Sequence, residues 1–206
     1  MTRLIVWRHG NTDWNANERV QGQSDTPLNA LGRRQAAAAA QSLLALRPDA
    51  IVASDLVRAS DTATALAAIS GLTVTYDKRL RERYFGAWQG LFMTEVIERF
   101  PEQHARWTAG QEIGGDVESL DDLGARVSAA LLAAATLGET VVVATHGAAA
   151  RQGVGQLLGW PLPVLRTLRP LENCHWIELF HDQRRGWQMA GFNVGAFPQP
   201  EPGSLR

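Results

Sequence analysis

The stretch Leu4-Ile5-Val6-Trp7-Arg8-His9-Gly10 decides the fold of this chain, because it predicts a short strand with a polar end. Four successive apolar residues are typical of a strand buried on both faces of a sheet that helices cover. The arginine, histidine and glycine that follow indicate that the strand stops there. A second stretch of the same form runs from Thr140 through an apolar strand to Thr145-His146-Gly147.

Between these two stretches the chain alternates between strands and helices. Asn29 predicts the cap of a helix, Gly71 the end of another, and Ser119 the cap of a third. The predicted strands are 4–7, 50–53, 72–76, 140–144, 174–180 and 187–190, and the predicted helices are 29–46, 56–69, 119–135 and one that begins at 147. This order predicts an α/β fold with three layers (α/β/α), in which helices flank a mostly parallel central sheet. We expect one domain over 1–206, with a small cap inserted at about 80–118 and a frayed tail from 199.

Composition limits the kinds of partner. The chain has 206 residues, of which 45% are hydrophobic, and its net charge is −1. This near balance argues against nucleic acid and anionic membranes as partners. Cys174 is the single cysteine, which excludes an intramolecular disulfide and fits a reducing compartment. The apolar run 4–7 is too short for a signal peptide or a membrane span, so we expect a cytoplasmic protein.

Polar residues follow three of the predicted strands, at the sheet edge where ligands of such folds bind. They include two histidines and two arginines, namely Arg8 and His9, Arg58, and His146. Zinc would need three protein ligands, and arginines beside it would repel it, so we expect no metal and no cofactor. Two guanidinium groups instead match a phosphate, whose phosphorus a neutral imidazole can attack.

A structural role is the alternative for each of these residues. A lone histidine near a strand end more often serves packing, although two His-Gly pairs after two strands are hard to explain in that way. Glu82 is a candidate acid, and a salt bridge to Arg81 or Arg83 explains it equally well.

Taken together, the residues resemble the histidine phosphatase superfamily, also called the phosphoglycerate-mutase-like family. The resemblance covers nearly the whole chain, in the family's order. It is carried by 4–15, Gly22, 28–36, Ser54-Asp55-Leu56-Val57-Arg58-Ala59, Thr62-Ala63, Leu80-Arg81-Glu82, Gly86, 88–91, 118–126 and Thr145-His146-Gly147. The stretches 21–25, 54–63 and 80–91 are most similar to phosphatases of the family that hydrolyse small phosphorylated sugar acids.

The resemblance implies a role for each matching residue. His9 matches the nucleophile that becomes a phosphohistidine, and Glu82 the acid that protonates the leaving oxygen and then activates water. The remaining catalytic residues would be Arg8, Arg58 and His146, which hold the phosphate. Further substrate contacts would come from Asn15, Gln21, Gly22 and Gly147.

Three departures from the family pattern concern the substrate side of the pocket. Ala148 stands where many phosphatases have glycine and mutases asparagine, and 114–119 carries two extra residues. The candidate cap, 91–110, lacks the mutases' paired arginines and lysine. It offers Arg99 and Arg106 against three glutamates, and Trp88, Phe92 and Trp107 as apolar or sugar-stacking surface.

We therefore expect a metal-independent phosphomonoesterase that acts on a small phosphorylated metabolite. Two alternatives stay open at this stage, a cofactor-dependent phosphoglycerate mutase and a non-catalytic phosphate-binding module. A homodimer is also expected.

Overall fold

A computed structural model describes residues 1–196 and shows a six-stranded mixed sheet between two helical layers. The strand order is β3-β2-β4-β1-β5-β6, and the first four strands are mutually parallel. The strands are β1 Thr2–Arg8, β2 Ala50–Ala53, β3 Val74–Tyr76, β4 Thr140–Thr145, β5 Trp176–Asp182 and β6 Gly186–Val194. The α/β prediction is confirmed, and the expected tail from 199 lies outside the described residues.

The last two strands make the sheet mixed rather than wholly parallel. β5 runs antiparallel to β1, and β6 antiparallel to β5. A tight hairpin turn joins them, because the Asp182 carboxylate accepts hydrogen bonds from the N–H groups of Arg184 and Arg185, 2.8 and 3.0 Å away. No crossover helix separates these strands, so they must pair in opposite directions.

Helices cover both faces of the sheet, as the alternation of strands and helices predicts. On β1, Ile5 and Trp7 pack in the core beneath α2 and α3, whereas Leu4 and Val6 pack in the core beneath α6 and α7. This alternation follows from the two-residue period of a strand. The helices are α1 Asp13–Ala16, α2 Ala30–Leu44, α3 Val57–Ser70, α4 Met93–Arg99, α5 Pro101–Thr108, α6 Leu120–Ala134, α7 Gly147–Leu158 and α8 Leu162–Leu165.

The helix ends are where their capping residues predict. The Asn29 side chain accepts from the N–H of Gly32 at 2.8 Å, and the Ser119 side chain from that of Asp122 at 3.0 Å. Gly71 ends α3 in the left-handed conformation, at φ 74°. These bonds satisfy N–H groups that have no partner within the helix.

The segment between β3 and α6 contains two 3-10 turns, Lys78–Leu80 and Gly86–Trp88, followed by α4 and α5. It has a small core of its own, formed by Trp88, Val96, Ile113 and Val117. Backbone hydrogen bonds join it to the loop after α1, at Val20 N to Leu91 O and Gly90 N to Val20 O. The segment is therefore held over the edge of the sheet where β1 ends.

No helix within 1–196 combines the length and the apolar character that crossing a membrane requires.

Candidate active site

The sheet register brings the two His-Gly pairs together. β1 and β4 are adjacent and parallel, with Arg8 opposite Thr145, so His9 and His146 follow neighbouring strands at the same edge. Their ring centroids lie 5.1 Å apart with a 60° tilt. Both side chains are buried. Two strand ends far apart in the chain thus form one polar pocket floor.

Hydrogen bonds define the tautomer of His9. Its Nδ1 lies 2.7 Å from the carbonyl oxygen of Gly10, which can only accept, so Nδ1 carries the proton. The other nitrogen, Nε2, accepts from Nε–H of Arg58 at 3.3 Å. Burial, reinforced by Arg58 and Arg8, holds the pKa of His9 well below its usual value of 6.5. The imidazole is therefore neutral, with the Nε2 lone pair directed to an arginine.

Arg58 is fixed by backbone carbonyls of the loop at 22–24. Its terminal nitrogens donate to the oxygens of Ser24, at 2.8 Å, and Gly22, at 2.7 Å. The side chain is fully buried, and burial lowers its pKa to about 10, so it remains charged near pH 7. Of its five N–H groups, these contacts and His9 use three, which leaves two for a ligand. Gly22 has φ +52°, and a β-carbon there would overlap the side chain of Gln89.

His146 directs an unpartnered nitrogen into the same region. Its Nε2 lies 2.9 Å from the hydroxyl oxygen of Ser54, which itself accepts from the N–H of Leu56 at 3.3 Å. Ser54 can donate its hydroxyl proton to Nε2, and in that arrangement Nδ1 carries the ring proton. Nδ1 is buried and has no hydrogen-bond partner within 1–196. Burial, followed by the charge of Arg58, lowers the pKa of His146 well below 6.5.

Arg8, like His146, has a buried side-chain nitrogen without a hydrogen-bond partner. One of its terminal nitrogens donates to the carbonyl oxygen of Leu171, whereas its buried Nε has no partner within the described residues. A β-carbon added at Gly147 would lie 3.5 Å from this Nε, so the small residue leaves the space beside it open. Buried N–H groups are nearly always bonded. Two unpartnered ones, on Arg8 and His146, are a ready site for the oxygens of an anion.

The Glu82 carboxylate is held by backbone N–H groups. Its Oε1 accepts from Arg83 at 2.8 Å and from Ala149 at 2.9 Å, and its Oε2 accepts from Ala148 at 3.2 Å. Ala148 and Ala149 lie in the first turn of α7, whose unpaired N–H groups favour an anion.

The salt-bridge alternative for Glu82 is wrong. Arg81 pairs with Asp55 at 2.6 Å, and Arg83 pairs with Glu112 at 2.9 Å. The carboxylate is thus left to face the pocket.

Asn15 and Gln21 are joined through Thr12. The side-chain oxygen of Asn15 accepts from the backbone N–H of Thr12 at 3.2 Å, and that of Gln21 accepts from the Thr12 hydroxyl at 3.1 Å. With both oxygens used, each side chain can offer its amide NH2 to a ligand.

These side chains border a cavity of about 640 Å³. The sequence-predicted residues on its lining are Arg8, His9, Asn15, Gln21, Gly22, Arg58 and Glu82. The structure places His146 against His9, and Gly147 beside Arg8. All nine predicted residues are thus brought to one place.

The outer part of the cavity differs from the sequence-based expectation. Trp88 and Trp107 line it as predicted, with ring centroids 6.1 Å apart, but Phe92 does not and instead packs under Arg19. Arg99 and Arg106 do not line it either. The residues that sequence reasoning missed are Glu18, Arg19, Val20, Phe85, Met93 and Pro170. Their one signal was position, since Glu18, Arg19 and Val20 lie between Asn15 and Gln21.

Within 1–196, no three His, Cys, Asp or Glu side chains are grouped so that they could hold a metal ion. The cations beside His9 are arginines.

Comparison with known proteins agrees with this geometry. The model of the "Histidine phosphatase superfamily (branch 1)" matches residues 4–195. The chain belongs to the histidine phosphatase superfamily. This histidine phosphatase is 41% identical to a glucosyl-3-phosphoglycerate phosphatase of Mycolicibacterium vanbaalenii, over 95% of this chain and 89% of that protein. It is 35% identical to a metal-independent phosphoserine phosphatase of Arabidopsis thaliana, over 96% and 90%.

A solved structure shares the fold of this histidine phosphatase. The native mycobacterial glucosyl-3-phosphoglycerate phosphatase superimposes with a TM-score of 0.83 at 35% identity, covering 95% of this chain and all of the other.

Proposed function

We propose that this protein is a metal-independent phosphomonoesterase that works through a phosphohistidine on His9. One observation carries the proposal. The neutral His9 presents its unprotonated Nε2 to Arg58, beside buried and unpartnered N–H groups of Arg8 and His146. A nucleophile and donors for the oxygens of a phosphate are thus in place before substrate binds. Such preorganised donors stabilise the transition state without the cost of reorganising during the reaction.

The first half of the reaction breaks the ester bond. Nε2 of His9 forms a bond to phosphorus while the bond from phosphorus to the ester oxygen breaks. Arg8, Arg58 and His146 donate to the three remaining phosphate oxygens. Glu82 begins this step in its protonated form, passes that proton to the leaving oxygen, which departs as an alcohol, and is left as a carboxylate.

The second half regenerates the enzyme. The Glu82 carboxylate takes a proton from water, whose oxygen attacks phosphorus, and the bond from phosphorus to Nε2 breaks. The products are the alcohol and inorganic phosphate. The first turn of α7 keeps Glu82 in place through both halves.

The substrate we propose is a small phosphorylated sugar acid such as glucosyl-3-phosphoglycerate. The relatives described above support it, and so does the cavity, whose outer part is apolar. Trp107 is 40% exposed there and packs edge-on against Trp88, which gives a face on which a sugar ring can stack. A volume of about 640 Å³ accommodates more than a three-carbon phosphate.

The test is a panel of phosphorylated metabolites assayed for released phosphate, with 3-phosphoglycerate plus catalytic 2,3-bisphosphoglycerate as a separate arm. We expect phosphate from a sugar-bearing monoester and negligible 2-phosphoglycerate, because Arg99 and Arg106 do not face the pocket. Isomerisation faster than hydrolysis would establish the mutase alternative. Phosphate binding without turnover on any substrate would establish the non-catalytic one.

We also propose that 1–206 form one domain, with about 80–118 as its cap, and that the protein acts in the cytoplasm as a homodimer. The single buried Cys174 fits a reducing compartment. Light scattering during size-exclusion chromatography tests the dimer.

A further inference from the structure

A second cavity adjoins the candidate active site. It has a volume of about 380 Å³, and Phe85 and Trp107 line both cavities, so the two cavities meet at these aromatic side chains. Ala148 also lines the second cavity, and its backbone N–H holds Glu82. Ala148 thus borders the second cavity and also contacts the proposed proton donor, Glu82.

Three arginines line this cavity, namely Arg83, Arg151 and Arg166. They come from three separate parts of the chain: Arg83 follows Glu82, Arg151 is in α7, and Arg166 follows α8. The backbone of Gly110, at the end of α5, lies against the Arg166 guanidinium, where a β-carbon would overlap it. The arginine cluster is thus built where the body of the protein meets the 80–118 segment.

The charges of the cluster are only partly balanced. Arg83 is paired with Glu112 at 2.9 Å and also donates to the carbonyl oxygen of Glu118 at 2.7 Å. The guanidinium groups of Arg151 and of the exposed Arg166 make no hydrogen bond or ion pair within 1–196. Arg151 is only partly exposed, and burial lowers its pKa, as expected for a cation without a partner of its own.

The remaining charge suits a carboxylate. Glu112 neutralises Arg83, which leaves the guanidinium groups of Arg151 and Arg166 for a ligand. A planar carboxylate matches the fork of a guanidinium, and Arg151 and Arg166 can each donate to its oxygens.

We infer that the cavity lined by Arg83, Arg151 and Arg166 binds a carboxylate on the substrate whose phosphate reacts at His9. Arg151 and Arg166 then determine specificity. The inference rests on the proposed phosphatase function and gives the carboxylate of its proposed sugar-acid substrate a binding site. The carboxylate reaches the cluster past Trp107, which is 40% exposed.

The experiment compares substrates that differ in the carboxylate. One pair is 3-phosphoglycerate with glycerol 3-phosphate, and a longer pair is 6-phosphogluconate with glucose 6-phosphate. The variants are Arg151→Gln and Arg166→Gln, and the matched control is Arg169→Gln, an exposed arginine that does not line the cavity. KM and kcat are measured for each, with 4-nitrophenyl phosphate as a substrate that lacks a carboxylate.

We expect the wild type to prefer the acid in at least one pair. Each glutamine variant should raise KM for that acid by about tenfold or more, since bonds to charged groups are the strong ones. KM for the neutral member and for 4-nitrophenyl phosphate should stay within about twofold, as should every value for Arg169→Gln.

Two results would overturn the inference: equal losses on both members of each pair, or no loss on any. Failure of the proposed function is distinguishable from these two results, because the wild type itself would then release phosphate from no substrate. In that case calorimetric binding of each acid against its neutral partner still tests the cluster, and equal affinities in the wild type would refute it.

Discussion

Replacing Glu82 by glutamine tests the proton-transfer role most directly. The amide has nearly the same shape, and its oxygen can keep the bonds from the N–H groups of Arg83 and Ala149, at 2.8 and 2.9 Å. Its NH2 group, however, would face the N–H of Ala148, which now donates to Oε2 at 3.2 Å. Two donors facing each other cost about 1–3 kcal/mol. This cost applies whatever the substrate.

The loss of proton transfer depends on the substrate. An alkyl phosphate has a poor leaving group, so losing the acid should lower kcat/KM by about 10²–10⁴-fold, or roughly 3–5 kcal/mol. The leaving group of 4-nitrophenyl phosphate hardly needs a proton, and only the shared structural cost should remain. The ratio of the two losses therefore isolates proton transfer from damage to the pocket.

The assay is kcat/KM for both substrates in wild type and Glu82→Gln, with the melting temperature as a check on folding. Glu139→Gln is the control, because Glu139 is exposed and does not line the cavity beside His9. A ratio near one, with both substrates losing equally, would remove Glu82 from the acid role.

The remaining predictions concern the nucleophile, metal ions and pH. His9→Ala should abolish turnover, while weaker phosphate binding persists through Arg8, Arg58 and His146. Rapid quench of the wild type should trap an acid-labile, base-stable phosphoryl adduct. Activity that survives in the alanine variant would refute the mechanism. Turnover should persist after exhaustive EDTA treatment, because arginines neutralise the phosphate charge, and activity that is lost and then restored by a divalent ion would contradict this. His9 and His146 are neutral when folded, with pKa values well below 6.5, but bind protons in the unfolded chain below that pH, so acidification favours unfolding. Between pH 7.5 and 5.5 this should lower the free energy of unfolding by at most about 3 kcal/mol for the two groups together, as measured by urea titration. The variant with asparagine at both positions should lose that part of the pH dependence, and an unchanged dependence would refute the assignment.

Local features of the sequence were enough to predict the framework. Strand formation and helix capping depend on a few neighbouring residues. The strand before Arg8, the N-caps Asn29 and Ser119, and the helix end at Gly71 are all where they were predicted. The convergence of His9 and His146 also follows from sequence, because parallel strands end at the same edge of a sheet.

Only the tertiary structure decided which partner each polar group has. Glu82 has arginines on both sides in sequence, yet its partners are backbone N–H groups, one of Arg83 and two of α7, and not a guanidinium. The tautomer of His9, the entry of Arg19 into the cavity and the meeting of Arg151 with Arg166 likewise depend on contacts between distant segments. The physical reason is the difference between neighbours along the chain and neighbours in space. Periodicity and capping are set by neighbours along the chain, whereas a hydrogen bond or an ion pair requires two atoms within about 3–4 Å, a distance that only the packed fold determines.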